Sequence, residues 1–145
     1  HVSNIGWQSW VSEGQMTGTT GRKLGMEAIC IRLNDPQYSG AISYRAHVSG
    51  IGWQTGWRSN GAMAGTTSQK RTIEALQIKL TGEMADHYDV YYRVHSQDYG
   101  WLGWAKNGES SGTSGLSKRI EAAEICLVEK GGRAPGSTTR PFVSK

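Results

Sequence analysis

His47-Val48-Ser49-Gly50-Ile51-Gly52-Trp53-Gln54-Thr55-Gly56-Trp57 is the stretch that decides the fold, because it occurs three times. The chain opens on His1-Val2-Ser3-Asn4-Ile5-Gly6-Trp7-Gln8-Ser9-Trp10 and returns to it at His95-Ser96-Gln97-Asp98-Tyr99-Gly100-Trp101-Leu102-Gly103-Trp104. All six tryptophans lie in these copies, two in each.

The repetition extends beyond the tryptophans. Gly18-Thr19-Thr20, Gly65-Thr66-Thr67 and Gly112-Thr113-Ser114 recur at intervals of 47 and 47 residues. So do Glu27-Ala28, Glu74-Ala75 and Glu121-Ala122, also at 47 and 47. Fixed periods of this size mark an architecture built from stacked units, none of which buries its apolar face alone.

Each unit holds three strand-like segments. In Ile42-Ser43-Tyr44-Arg45-Ala46-His47-Val48, strict alternation puts Ile42, Tyr44, Ala46 and Val48 on one face and Ser43, Arg45 and His47 on the other. Val90-Tyr91-Tyr92-Arg93-Val94-His95 matches it in unit three. The Gly-Trp segment follows and ends at Gly14, Asn60-Gly61 or Asn107-Gly108; Asn-Gly is a turn signal because both residues accept positive φ. The third segment begins at Glu27, Glu74 or Glu121. It points Ile29, Ile31 and Leu33, or Leu76, Ile78 and Leu80, at a core. Cys30, Gln77, Glu124, Arg32, Lys79 and Cys126 take the wet face. The two cysteines thus fall in different units and rows, and both a disulfide and two free thiols fit the sequence.

Twenty glycines and an aromatic set of six Trp and six Tyr against one Phe read as short strands and tight turns rather than helices. Three units of about 47 residues suggest pseudo-threefold symmetry in one all-β domain over 1–145. The units span 1–37, 38–86 and 87–132, followed by a tail over 133–145. A β-trefoil, a small barrel with hairpin caps, fits best; a three-sheet β-prism is the alternative. Unit one lacks the Tyr-Arg-Ala segment of its siblings. Arg140 and Val143 of the tail can be laid over Arg45 and Val48, so two readings stand: a strand that closes the ring, with Pro141 where no ladder donor is needed, or a linker.

No apolar run is long enough to cross a membrane, and membrane insertion is not expected. The chain starts inside a repeat, which reads as a mature or trimmed form. Net charge is +4, from 16 Lys+Arg against 12 Asp+Glu, which favours an acidic partner without requiring one. Without a basic run, an RNA-binding aromatic signature or a groove-reading helix, nucleic acid is not the expected partner.

Tyr-Arg-Ala-His-Val, then Gly-Trp-Gln, Gly-Thr-Thr and Glu-Ala-(Ile/Leu)-x-Ile-x-Leu, in that order, resembles the clostridial hydrophobic repeat with conserved tryptophan, the ChW repeat. Three copies cover residues 1 to 128. Ser96 departs from the pattern after the histidine and Ala123 after Glu-Ala. The resemblance implies a bacterial, secreted or cell-surface module that binds polysaccharide or protein and carries no catalysis.

The second tryptophan of each copy, Trp10, Trp57 or Trp104, is the candidate ligand platform, since sugar C–H faces stack on indole. Gln8, Gln54, Asn60 and Asn107 are candidates for holding the hydroxyls. The competing role for these tryptophans is to wedge between units. Trp7, Trp53 and Trp101 read as structural. His1, His47 and His95 recur without a catalytic partner at matching spacing and fall opposite the core, so no metal or cofactor is expected. Glu27, Glu74 and Glu121 each follow a basic pair and are spread around the axis, whereas a glycosidase needs two carboxyls about 5 to 10 Å apart in one cleft. Their expected role is to accept bonds from the Gly-Thr-Thr turn or to pair with nearby bases. The expectation is a non-enzymatic, lectin-like module with up to three equivalent sites for a glycan or surface polysaccharide. The alternative is a surface protein-interaction or self-assembly module.

Overall fold

The computed structural model describes all residues, 1–145. In chain order its elements are β1 (Thr17–Gly18), β2 (Ala28–Cys30), β3 (Ala41–Val48), β4 (Gly52–Trp53), β5 (Arg58–Ser59), β6 (Met63–Gly65), β7 (Ile73–Thr81), α1 (Glu83–His87), β8 (Tyr88–Ser96), β9 (Gly100–Trp101), β10 (Ala105–Lys106), β11 (Ser110–Ser114), β12 (Ile120–Glu129) and β13 (Phe142–Ser144).

The long strands form where alternation is strict. Ile42, Tyr44, Ala46 and Val48 of β3 are all buried, while Arg45 and His47 on the opposite face keep partial exposure. Ser43, also on that face, is buried beneath Ser59, their hydroxyls 2.8 Å apart. β3 pairs antiparallel with β7 from Ala41↔Thr81 to Val48↔Ile73, and β8 with β12 from Tyr88↔Glu129 to Ser96↔Ile120. Each ladder slips by one residue where the Glu of the Glu-Ala motif falls, at Glu74 and at Glu121. A bulge of this kind re-aims one side chain. The Asn-Gly turns form as expected, with φ of 47° and 90° at Asn60-Gly61 and 45° and 86° at Asn107-Gly108.

The units join through their Gly-Thr strands. β6 of unit two pairs with β2 of unit one, with Gly65 opposite Ala28. β11 of unit three pairs with β7 of unit two, with Gly112 opposite Ala75. β1 of unit one pairs with β12 of unit three, with Gly18 opposite Ala122. The turn before each Gly-Thr strand repeats the cycle: Gly14, Gly61 and Gly108 donate to Ile125, Ile31 and Ile78 oxygens at 2.8, 2.7 and 2.7 Å. Glycine is required in these strands. A Cβ on Gly18, Gly65 or Gly112 would lie 2.4, 2.3 or 2.3 Å from the carbonyl oxygen of Glu121, Glu27 or Glu74, and all three have positive φ. The units therefore close on one another pairwise. Their strands fall into three sheets, of five, six and two strands, and no single barrel closes.

One apolar core draws on all three units, from Met26 and Ile29 through Tyr44 and Ile78 to Tyr92, Val94 and Val143. Tyrosine ties neighbouring units: the Tyr44 hydroxyl accepts from Ile31 N–H of unit one at 3.1 Å and donates to Ala62 O. Tyr92 repeats the second bond, donating to Glu109 O at 2.5 Å.

Two features depart from expectation. A single-turn helix, α1, carries the chain from β7 to β8 and buries Met84. The tail does not serve unit one. Its strand β13 runs parallel to β11, Gly112↔Phe142 to Ser114↔Ser144, on the opposite side of β11 from β7. Pro141 sits just before the first paired residue, Phe142, so its missing N–H costs the ladder nothing, and its carbonyl accepts from Gly112 N–H at 3.0 Å. The slot beside β2, where β3 and β8 lie in the other units, takes no strand of this chain.

Candidate binding site

Every unit carries the same surface cluster. The bulge turns each Glu of the Glu-Ala motif towards the histidine of the Trp motif. His1, His47 and His95 Nδ1 stand 3.0 Å from Glu27, Glu74 and Glu121 Oε1. Each imidazole then meets the first tryptophan edge-on: Trp7, Trp53 and Trp101 lie 5.2, 5.3 and 5.4 Å away by ring centroid, at 83° to 85°. Sequence reasoning left these histidines without partners. The signal was present in the near-constant His-to-Glu spacing, but reading it requires knowing that the bulge exists. Of the expected basic partners, Arg119 pairs with Glu121 at 3.0 Å, whereas Arg71 instead donates to Ser49 O at 2.9 Å.

A cation fills the space between the two tryptophans. Arg45 lies 5.3 and 5.1 Å from the Trp53 and Trp57 rings, and Arg93 lies 4.5 and 5.0 Å from Trp101 and Trp104. Both guanidiniums are held from the neighbouring strand, Arg45 Nε donating to Gln77 at 2.7 Å and Arg93 Nε to Glu124 at 2.8 Å. These arginines were read only as polar-face residues. A second cation stands over the outer tryptophan in two units: Lys79 is 4.1 Å from Trp57 and Arg32 is 3.9 Å from Trp10. Such stacking contributes about 0.5–2 kcal/mol according to desolvation.

The candidate platforms are not equivalent. Trp10 is 54% exposed, Trp57 is half-buried, and Trp104 is 7% exposed. Trp104 is covered by the tail, its backbone N–H donating to Ser137 O at 2.9 Å, and Gly136 passes so close that a Cβ there would stand 2.9 Å from the indole nitrogen. Arg93, Trp101, Trp104 and the tail segment from Pro135 to Thr139 frame a cleft of about 330 Å³.

The polar candidates are engaged by the scaffold. Gln54 clamps Gly65 both ways, accepting from its N–H at 2.8 Å and donating to its carbonyl at 3.2 Å; Gln8 accepts from Gly18 N–H at 2.9 Å. Asn60 accepts from Ile42 N–H at 3.3 Å and Asn107 from Val90 N–H at 2.9 Å. The glutamines thus hold the Gly-Thr strands, and the asparagines brace their own turns.

Unit three adds a polar knot. Asp89 is buried and accepts from Asn107 at 2.8 Å and from Gly131 N–H at 3.0 Å, with Lys130 Nζ at 3.1 Å. Burial pushes its pKa up, but these donors and the ammonium outweigh it and hold the carboxyl down at about 2.

A hollow of about 830 Å³ lies between unit one and its neighbours. It runs along β2, with Trp7 and Trp10 at its outer face, Ile31, Met84 and Ile125 within it, and both cysteines on its walls. Cys30 and Cys126 are free thiols, each with its pKa raised by burial.

An all-β protein of three cyclically paired repeats, each presenting a His–Glu–Trp–cation cluster, is defined by this geometry. The chain belongs to the Clostridial hydrophobic W (ChW) family, whose pattern it matches over residues 1–35, 47–82 and 95–129. Comparison with curated proteins and with solved structures gives no match.

Proposed function

We propose that the chain is a non-catalytic, extracellular or cell-surface module that binds carbohydrate on its indole platforms. What carries this reading is the pairing of an accessible indole with a cation at Trp10–Arg32 and Trp57–Lys79. The indole offers a face for sugar C–H groups. With the glutamines and asparagines committed to the backbone, Arg32, Lys79 and Arg45 are the groups left to meet polar substituents. The favoured ligand is therefore a glycan bearing carboxylate or phosphate. Units one and two supply the open platforms, and the tail covers the third. Two weak sites on one module raise avidity on a polymer without any new contact. We also infer a three-sheet prism rather than a trefoil, since each unit's Gly-Thr strand extends another unit's sheet and no barrel forms.

The test is a glycan array that includes acidic polymers, followed by tryptophan-fluorescence titration of the hits. Saturable quenching that falls stepwise in Trp10→Ala and Trp57→Ala is the expected result. Hits indifferent to both substitutions would sink the reading. A protein-interaction role is the second reading, favoured by the exposed apolar set Ile5, Trp7, Trp10 and Val11.

A further inference from the structure

Units two and three set the same pair of tryptophans against different balances of charge. In unit three Glu124 neutralises the arginine: its Oε1 accepts from Arg93 Nε at 2.8 Å and stands 2.7 Å from Nη2. Two residues along β12 comes Cys126, an uncharged thiol, and the tail lies over Trp104. In unit two the place of Glu124 is taken by Gln77, an amide. It accepts from Arg45 Nε at 2.7 Å and donates to Ser110 Oγ at 3.0 Å. Two residues along β7 comes Lys79, whose ammonium stands 4.1 Å over the Trp57 ring.

Arg45 and Lys79 thus form a pair of cations without a counter-charge. They project from one face of the β3–β7 ladder, where Arg45 lies opposite Gln77 and Lys79 opposite Ser43. Both stand over Trp57, and neither belongs to any of the ion pairs of the molecule. A guanidinium carries several N–H donors in a fixed fork. For Arg45 the protein takes up only Nε, and Lys79 Nζ donates to no protein oxygen. Two like charges held over one ring repel each other. An anion between them relieves that repulsion and fills the free donors with charge-assisted bonds.

We propose that Arg45 and Lys79 are a phosphate subsite, which takes the phosphate group of a phosphorylated saccharide at unit two. Gln77 is the residue that keeps the subsite open. It orients the guanidinium as Glu124 does in unit three, but leaves its charge available. Two cations match the double charge of a phosphate monoester better than the single charge of a uronate. Lys79 exchanges its indole contact for a bond to the anion, and the ring face it leaves receives the sugar. The saccharide part rests on the carbohydrate reading above; the anion part does not.

The probes are inorganic phosphate, glucose 6-phosphate, glucuronate and glucose, titrated into the intact chain at fixed ionic strength and a mildly alkaline pH that keeps the monoester doubly charged. Tryptophan emission and the indole N–H resonance of Trp57 are followed. Both phosphates should give a saturable change, and glucuronate should bind at least about tenfold more weakly than glucose 6-phosphate, the scale of one hydrogen bond to a charged group. Gln77→Glu gives unit two the charge balance of unit three, where a glutamate already seats the arginine, and should weaken phosphate binding about tenfold. Lys79→Ala should weaken it as much, and tests the subsite without touching the Arg45 clamp. Lys106→Ala removes an exposed cation of unit three and should change nothing. A phosphate response indifferent to Gln77→Glu and Lys79→Ala, or lost equally in Lys106→Ala, would overturn the proposal. Glucose or glucuronate binding as tightly as glucose 6-phosphate would leave the indole platform standing and overturn the phosphate subsite. Glucose 6-phosphate binding no tighter than inorganic phosphate would leave the subsite standing and remove the platform.

Discussion

Units one and two share their motif residues and differ in one structural element. Unit two has its long first strand, β3; unit one has none beside β2. With the strand in place, Arg45 stands between two half-buried tryptophans and Ile78 is sealed. Without it, Trp7 and Trp10 stand half in solvent, and Ile125 across the slot is only partly covered. Yet the 3.0 Å His–Glu approach, the His–Trp contact and the Gly-Thr strand pairing recur in both. The Trp motif and the ring are thus set by contacts the first strand does not make. That strand governs how much of the indole surface is available.

The sharpest way to break the comparison is at the ring. Gly65→Ala puts a methyl 2.3 Å from Glu27 O and imposes positive φ on alanine. A loss of about 3 kcal/mol or more is expected from strain and clash together. Gly18→Ala, with the same geometry against Glu121 O, should cost a similar amount in urea denaturation. If Gly18→Ala were mild, the unit-one junction would be looser than the others and the ring not equivalent.

The next effect separates tryptophans that share a motif position. Trp104→Ala empties a buried site under the tail and should cost about 3 kcal/mol. Trp10→Ala, largely exposed, should stay within about 0.5 kcal/mol. Thermal melts of the two variants measure this directly. Equal losses would mean that Trp10 supports the fold as Trp104 does, and would weaken its case as a ligand platform.

Smaller still is the tie between units that only strand-bearing units possess. Tyr44→Phe removes the hydroxyl that accepts from Ile31 N–H and donates to Ala62 O, leaving both backbone groups to find water. The expected cost is about 1–2 kcal/mol in chemical denaturation. No change at all would show that the backbone of unit one does not depend on its neighbour's tyrosine.

What was legible in the chain was whatever repeats locally. Alternation placed Ile42, Tyr44, Ala46 and Val48 in the core because period two needs no tertiary context. The Asn-Gly turns were equally local. The pairing of Gly-Thr strands between units was not, since strands of two, three and five residues carry little periodicity to read. Gln54 looked like a sugar ligand because its real partner, the Gly65 backbone, has no side-chain signature. Arg45 sat on the correct face, but its place between two indoles depends on the arm of the next segment folding back. Arg140 and Val143 matched a strand pattern, but the pattern did not say which strand would receive it, and β13 pairs with β11.

The smallest effect concerns a feature units one and two lack. Asp89 anchors the start of β8 to Asn107, Gly131 and Lys130, and its folded pKa of about 2 lies below the ordinary carboxylate value of about 3.9. A depressed pKa means that the native state holds the charged form more strongly than the unfolded chain does. Its contribution is therefore complete above about pH 4 and is lost as pH falls through about 2. Asp89→Asn removes that dependence, so stability plotted against pH should fall less steeply over this window than in the parent. The comparison is made by urea denaturation at a series of acid pH values. If parent and variant traced parallel curves, Asp89 would not be the source of the acid sensitivity. The unique knot of unit three would then be a packing feature only.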